Sequence, residues 1–474
     1  MTQEQFRIHL YEQKGLFGET IDFKNQDIIF PHTFEGYFEF NTTIFICRKL
    51  IFKNIRKNDI ELRFLACDFQ CEIIIDNSSI NRLWFEDTLN IEALNIFEHS
   101  NKDYNSEIKD FNFSYDIRNK EIPDLNTNFN LKGVKFNIFQ FKNVKIENGS
   151  FLFKNNIIDD AEKTGIESSF KNSTLYNTNF ESNIFNSKVD FSKCIFSHDI
   201  NNPKKEGSFF TSNIFNDVDF IECNFKNTFY LYKCIFQKTA RFYNIRNLEN
   251  SKFNIIESEF VNYANFNRSE INNFLIDKTE FKHTVSFQQT TFNHIKINRT
   301  IFEKLALFDE IKISIIAKCD RRTIRNIKQQ LQKAENKIDY NRFRSYELQA
   351  YYKELNWKWN EGFKDKVILG ATLLSTGFEH SWRRALAFTL GFGFLWYSIL
   401  YRIEHKGSFD YGKIESFWNG YYRFLLVTDF YNPFVNDKRS YLENGWSGLV
   451  MIIGKIFIAF GIYEMIQAFR KFKA

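Results

Sequence analysis

The chain has 474 residues, of which 58 are Phe and only 4 are Pro. That length calls for more than one folded unit. Residues 311–474 carry 26 Lys and Arg against 15 Asp and Glu, whereas residues 1–310 carry 37 against 43, so the basic C-terminal third points to a membrane surface or nucleic acid as its neighbour.

The first residues, MTQEQFRIHLYEQKG, contain no apolar stretch, so no cleavable signal peptide is expected. The 7 cysteines are scattered, and Cys67 and Cys71 lack the CxxC spacing and second pair that a zinc site requires. Most of them stand at positions that call for a small side chain, which makes them buried thiols in a reducing compartment.

A period of five dominates the region that follows. Phe40, Phe45, Leu50, Ile55 and Ile60 begin it, and Phe136, Phe141, Ile146 and Phe151 continue it. Leu175, Phe180, Phe185, Phe191 and Phe196 form the next run, with one six-residue step. Phe210, Phe215, Phe220 and Phe225 come next, and Phe281, Phe287, Phe292, Ile297, Phe302 and Phe308 close the series. Two positions before these residues stand mostly small or apolar ones, for example Ser173, Thr178, Asn183, Val189 and Cys194. On an α-helix, residues five apart sit about 140° apart and smear around the surface. On a flat strand they fall on alternate faces. A coil with sides of about five residues gathers them into one core, one large and one small side chain per side, with coils stacked at the ~4.8 Å strand spacing.

The units TNFES, VDFSK, CNFKN, SEFVN, ANFNR, TEFKH and TIFEK resemble the pentapeptide-repeat family. That resemblance covers most of residues 23–308 and implies a mainly β fold, a right-handed, four-sided β-helix. Polar stretches at 97–110, 155–167 and 198–207 interrupt the repeat and read as loops projecting from the solenoid, the expected binding surface of domain 1–310. Some soluble members of the family mimic DNA and bind topoisomerases. The mild acidity and interruptions of this chain argue against that role and against a nucleic-acid partner.

Beyond Phe308 the period becomes helical. Ile324, Ile327, Leu331 and Ala334 follow 3-4-3 spacing behind Asp320, an N-cap candidate, and a second helix begins near Tyr346. This pair, within a basic α-helical cap and linker 311–380, is expected to cap the last coil. Domain 381–474 holds two apolar stretches, about 385–403 and 446–469, read as transmembrane helices. Arg383 and Arg384 precede the first, and Arg470, Lys471 and Lys473 follow the second, all candidates for contact with anionic lipid headgroups. The basic flanks place both termini and the β-helix in the cytoplasm, in a multi-pass protein of the inner membrane. The order of β-helix, helical pair and two spans also resembles uncharacterised bacterial membrane pentapeptide-repeat proteins.

In the second span Ser447, Gly454, Gly461 and Ala468 recur every seven residues, a small stripe for helix packing against Gly391 and Gly393 of the first span or against another subunit. Lys455 lies near the middle of this span, a candidate for pore lining, an ion pair or snorkelling. Glu464 is almost opposite on the helix and reads as solvated at the cytoplasmic end. The intervening ESFWNGYYRFLLVTDFYNPF (415–434) occupies the place of a pore helix and filter in two-helix channels, but VTDFYNP lacks the glycines of a potassium filter. No Walker A loop, GxGxxG, HExxH or GxSxG pattern is present, so no catalytic site, cofactor or metal is expected. The sequence reading is thus a non-enzymatic, membrane-anchored scaffold or sensor for a cytoplasmic protein. The alternative is a subunit of a homo-oligomeric, non-potassium pore serving stress or defence.

Overall fold

In the computed structural model the repeat region forms a parallel β-solenoid of about 11 turns. The structure describes the chain except residues 1–2, 14, 31–32, 34, 57–58, 98–105, 117–121, 148, 160–165, 198–206, 248–250, 358–361, 379–380, 406–413, 436–439 and 471–474. The chain divides into two compact units, Met1–Thr323 and Ile324–Ala474.

The period of five is explained by what lies above and below each residue. Phe185 pairs with Phe215, Phe215 with Phe236, Phe236 with Phe260, Phe260 with Phe281 and Phe281 with Phe302 on successive parallel strands. Their rings stack nearly parallel with centroids 4.7, 5.2, 4.4, 4.7 and 5.3 Å apart. Phe191, Phe220, Phe242, Phe266, Phe287 and Phe308 form a second column at 4.8, 5.0, 4.7, 5.1 and 4.9 Å. These spacings match the ~4.8 Å between hydrogen-bonded strands, so backbone ladder and ring stack are satisfied by one geometry. Leu175, Phe180, Phe196, Phe225 and Phe292 are buried with them. Phe302, near the last coil, is only partly buried.

The small residues have a second task. Cys194, Cys223 and Cys234 donate through Sγ to Phe170 O, Phe191 O and Phe210 O of the preceding coil at 2.9, 3.0 and 3.1 Å. Ser269 and Thr290 donate in the same way to Phe242 O and Phe266 O at 3.0 and 2.8 Å. Each follows a residue in the left-handed region: Lys193, Glu222, Lys233, Arg268 and Gln289 have φ of 61, 58, 53, 56 and 58°. A non-glycine residue there costs on the order of 1–2 kcal/mol. The side-chain bond to a corner carbonyl offsets part of that cost. All seven cysteines are buried and unpaired. Burial pushes the Cys67 thiol up to about 11 and that of Cys234 up to about 12, which leaves both inert at neutral pH.

Asn156, Asn183 and Asn213 extend this corner device into a ladder. Asn183 Oδ1 accepts from Asn156 N at 2.9 Å, and its Nδ2 donates to Phe153 O at 2.7 Å and Asn213 Oδ1 at 2.9 Å. Asn183→Ala leaves Asn156 N and Phe153 O buried and unmet, at about 1–3 kcal/mol each. Thermal unfolding followed by circular dichroism should show a clearly lowered midpoint, and Asn183→Ser a smaller loss. An unchanged midpoint in the alanine variant removes the ladder from the account of stability.

The first coil is covered by a helix that the sequence reading does not assign. In α1 (Gln3–Gln13), Phe6 and Leu10 lie one turn apart and are buried. The Phe6 ring meets Phe23 and Phe30 at 5.9 and 6.0 Å. The interruptions are shorter than expected where they can be seen. Glu107–Ser114 is a strand paired with Ser79–Glu86, and Ile157–Ile158 pairs with Ile184–Phe185. Ile108 and Ile158 fill inward positions, which draws both segments into the ladder. Residues 98–105, 160–165 and 198–206, most of the rest of the expected loops, lie outside the described residues.

Asp320 is an N-cap: its Oδ1 accepts from Thr323 N at 2.6 Å as α2 (Arg321–Lys333) begins. α3 (Lys337–Glu354) starts at Asn336, whose side chain accepts from Asp339 N at 3.1 Å. Arg325 and Lys328 of α2 both reach Glu347 of α3, at 2.8 and 2.5 Å. Then come α4 (Phe363–Ser375), α5 (Trp382–Glu404), α6 (Ile414–Leu425) and α7 (Gly445–Arg470). α4 lies in the region expected to be an α-helical cap and linker, but the sequence reading assigns no separate helix there. α5 and α7 are long and apolar enough to cross a membrane.

Candidate functional site

Small side chains determine how α7 meets α5. Ser447, Gly454, Gly461 and Ala468 are all buried. The helices run antiparallel: Trp382 stacks on Phe469 at 5.5 Å, Phe388 meets Phe460 at 6.1 Å and Phe392 meets Phe457 at 5.5 Å. A Cβ on Gly461 would run into Thr389 Oγ1. One on Gly454 would lie 2.6 Å from Phe424 Cζ and 2.9 Å from Trp396 Cβ, and one on Gly393 2.9 Å from Leu425. Gly391 takes no part in this packing, contrary to the sequence reading. It lies on the exposed side of α5, and no atom is within 4 Å of where its Cβ would be. Residues 391 and 393 are about 200° apart on a helix, so only one of them can face α7.

α6 inserts beside this pair. Its Phe417, Tyr421 and Phe424 pack with Tyr397, Leu400 and Tyr401 of α5 and Met451 and Ile458 of α7. Tyr421 donates to Leu390 O at 2.8 Å. Gly420 permits the close approach, since a Cβ there would overlap the Tyr397 phenol oxygen. With 12 residues α6 rises about 18 Å, so its C-terminal carbonyls end within the packed core rather than beyond it.

Lys455 meets that end. Only 3 % exposed, it donates through Nζ to Leu426 O at 2.6 Å and Phe424 O at 3.3 Å. The ammonium also lies 5.5 Å from the Phe424 ring centre and 5.6 Å from that of Phe430, and Asp429 adds a favourable charge interaction. A helix C-terminus carries roughly half a negative charge, and Lys455 supplies the matching cation. The side chain therefore neither snorkels nor pairs with Glu464. Glu464 is also not solvated, contrary to the sequence reading: it is 5 % exposed, and its Oε2 accepts from Thr376 Oγ1 at 3.0 Å. Thr376 follows the last turn of α4, so the unforeseen helix is what covers the carboxylate.

Comparison with family models, with curated proteins and with solved structures gave no match to this chain. The function must therefore be argued from the chain itself. Among the described residues no cluster of three or more His, Cys, Asp or Glu side chains is placed to hold a metal ion.

The outward faces of the long helices are the remaining feature. Leu386, Leu390, Phe394, Leu395 and Ile399 of α5 are exposed, as are Leu449, Ile452, Ile456, Ile466 and Phe469 of α7. Only 33 % of each apolar window is buried, far less than a core helix of a water-soluble domain requires. Arg383 and Arg384 are exposed at the start of α5, with the Arg383 guanidinium 5.8 Å from the Trp382 ring centre. Arg470 ends α7, and Lys471 and Lys473 lie outside the described residues.

Nothing in the sequence pattern marks Phe424 O, Leu426 O or Thr376 as partners of these charges. The usable signal is the length of α6: a helical apolar stretch of 12 residues is too short to span a bilayer and must end inside something.

Proposed function

We propose that the chain is a non-enzymatic membrane anchor and scaffold, α5 and α7 crossing a bilayer and the solenoid presenting a surface to a protein partner. The observation that carries this reading is the pairing of Lys455 with the broken end of α6 beneath exposed apolar faces. In hydrocarbon every backbone group must be met internally, and a half-helix ending there is tolerated only against protein. The ammonium is held by two of those carbonyls and is only 3 % exposed, which favours a sealed anchor over a wet path.

We read the solenoid as a pentapeptide-repeat β-helix with four sides. In support, its paired positions fall 21 residues apart at Phe260–Phe281 and Phe281–Phe302, close to four sides of five. Inner-membrane residence with a cytoplasmic solenoid agrees with Arg383, Arg384 and the buried thiols. Sodium carbonate washing should leave the full chain in the membrane pellet. Reconstituted into planar bilayers, it should pass no current above the lipid baseline. Release by carbonate would remove the anchor reading.

A second reading has one observation in its favour, the order of long helix, half-helix and long helix. That order suits a subunit of an oligomeric pore, and discrete unitary currents in the same bilayers would select it.

A further inference from the structure

We propose that α4 and α5 form a site for one acyl chain of an anionic glycerophospholipid, with its phosphate on Arg384. The proposal rests on the bilayer reading above. A depression of about 410 Å³ is lined by Leu374 of α4 and by Arg384, Phe388, Gly391, Phe392 and Leu395 of α5. It is cationic at one end and apolar along the rest, the same division of character as a phospholipid.

Its length agrees with one leaflet. From Arg384 to Leu395 the helix rises about 16 Å. Half of a ~30 Å hydrocarbon core is about 15 Å. A chain anchored at Arg384 therefore ends beside Leu395 near the bilayer centre, whereas a helix of a second copy would run on past both ends.

Gly391 gives the depression its floor. Glycine inside a helix is less favourable than alanine by about 1 kcal/mol, and helix packing does not account for it here, because nothing lies within 4 Å of its Cβ direction. An open floor at that point leaves room for methylenes of a lipid. Leu374 forms the opposite wall, and α4 is tied to α7 through the Thr376–Glu464 bond at 3.0 Å. Arg384 donates through Nη2 to Leu373 O at 3.3 Å, which orients the guanidinium at the mouth. A guanidinium has five N–H donors in a fork suited to phosphate, so one bond to a carbonyl leaves that recognition intact.

The experiment uses the full chain in mild detergent, exposed to phosphatidylglycerol or phosphatidylcholine, with retained lipid counted by native mass spectrometry. The wild-type chain should retain one phosphatidylglycerol in preference to phosphatidylcholine. Gly391→Leu, which fills the depression, and Arg384→Gln, which removes the cation, should each weaken retention about tenfold, with circular dichroism unchanged for Gly391→Leu. Equal retention of both lipids, or variants that retain phosphatidylglycerol as the wild type does, would overturn the site. So would a change from dimer to monomer in Gly391→Leu without lipid loss, which would make a second copy the occupant. Carbonate washing separates the two levels: a chain that stays in the membrane while its lipid binding is unaltered refutes this site alone.

Discussion

Lys455→Met should destabilise the helical unit by about 2–5 kcal/mol, the sum expected for two buried carbonyls losing a charged donor. Methionine keeps most of the volume, so the loss is electrostatic rather than a cavity effect. Phe424 O and Leu426 O then face apolar side chains, and the partial negative charge at the end of α6 has no counterpart. On the proposed bilayer reading the converse also holds: a lysine at the centre of a spanning helix opposes insertion by about 2.5–3.5 kcal/mol unless it is partnered. Each partner thus makes the other tolerable, and the pair specifies where α6 must sit. The segment 426–435, which returns from α6, should open first. Limited proteolysis in detergent micelles should cut the Met variant there while leaving the wild type intact. Equal resistance, with equal unfolding temperatures, would show that the ammonium does nothing for α6.

The solenoid was largely legible in the sequence because two demands recur from coil to coil. A ring must lie over a ring one strand spacing away, and a small donor must reach a corner carbonyl, so Phe287 and Thr290 announce their roles by recurrence. Charges in the helical unit have no such recurrence. Lys455 bonds to carbonyls about thirty residues earlier, and any residue can supply a carbonyl, so no side-chain pattern marks the partner. Glu464 reads as solvated because its cover, Thr376, is 88 residues away at the end of an unassigned helix. That helix, α4, is short and contains Gly370, and its apolar run passes for a linker. The heptad of small residues on α7 was visible, but not which glycine of α5 opposes it. Gly391 and Gly393 are equivalent by composition and differ only in the face they occupy.

That difference in face leads to the second large effect. Gly461→Leu should break the α5–α7 contact, whereas Gly391→Leu should leave it standing. At Gly461 the new side chain meets Thr389, whose own Oγ1 is held by Ala385 O at 2.8 Å and cannot simply rotate away. The helices must separate there, and because the small stripe runs the length of α7, separation at one rung loosens Gly454 against Trp396 as well. Forcing methylenes into a packed contact costs about 1–3 kcal/mol. The upper end is expected, since the obstacle lies close to the backbone rather than at a flexible tip. On the bilayer reading proposed above, no hydrophobic force draws the helices back together, so close packing is the term that decides their association. Titration with dodecyl sulfate, followed through tryptophan fluorescence, should move the Gly461→Leu midpoint well below wild type and leave that of Gly391→Leu unmoved. If both variants shift alike, the stripe is not the seam between α5 and α7, and the placement of α6 and Lys455 against that seam falls with it.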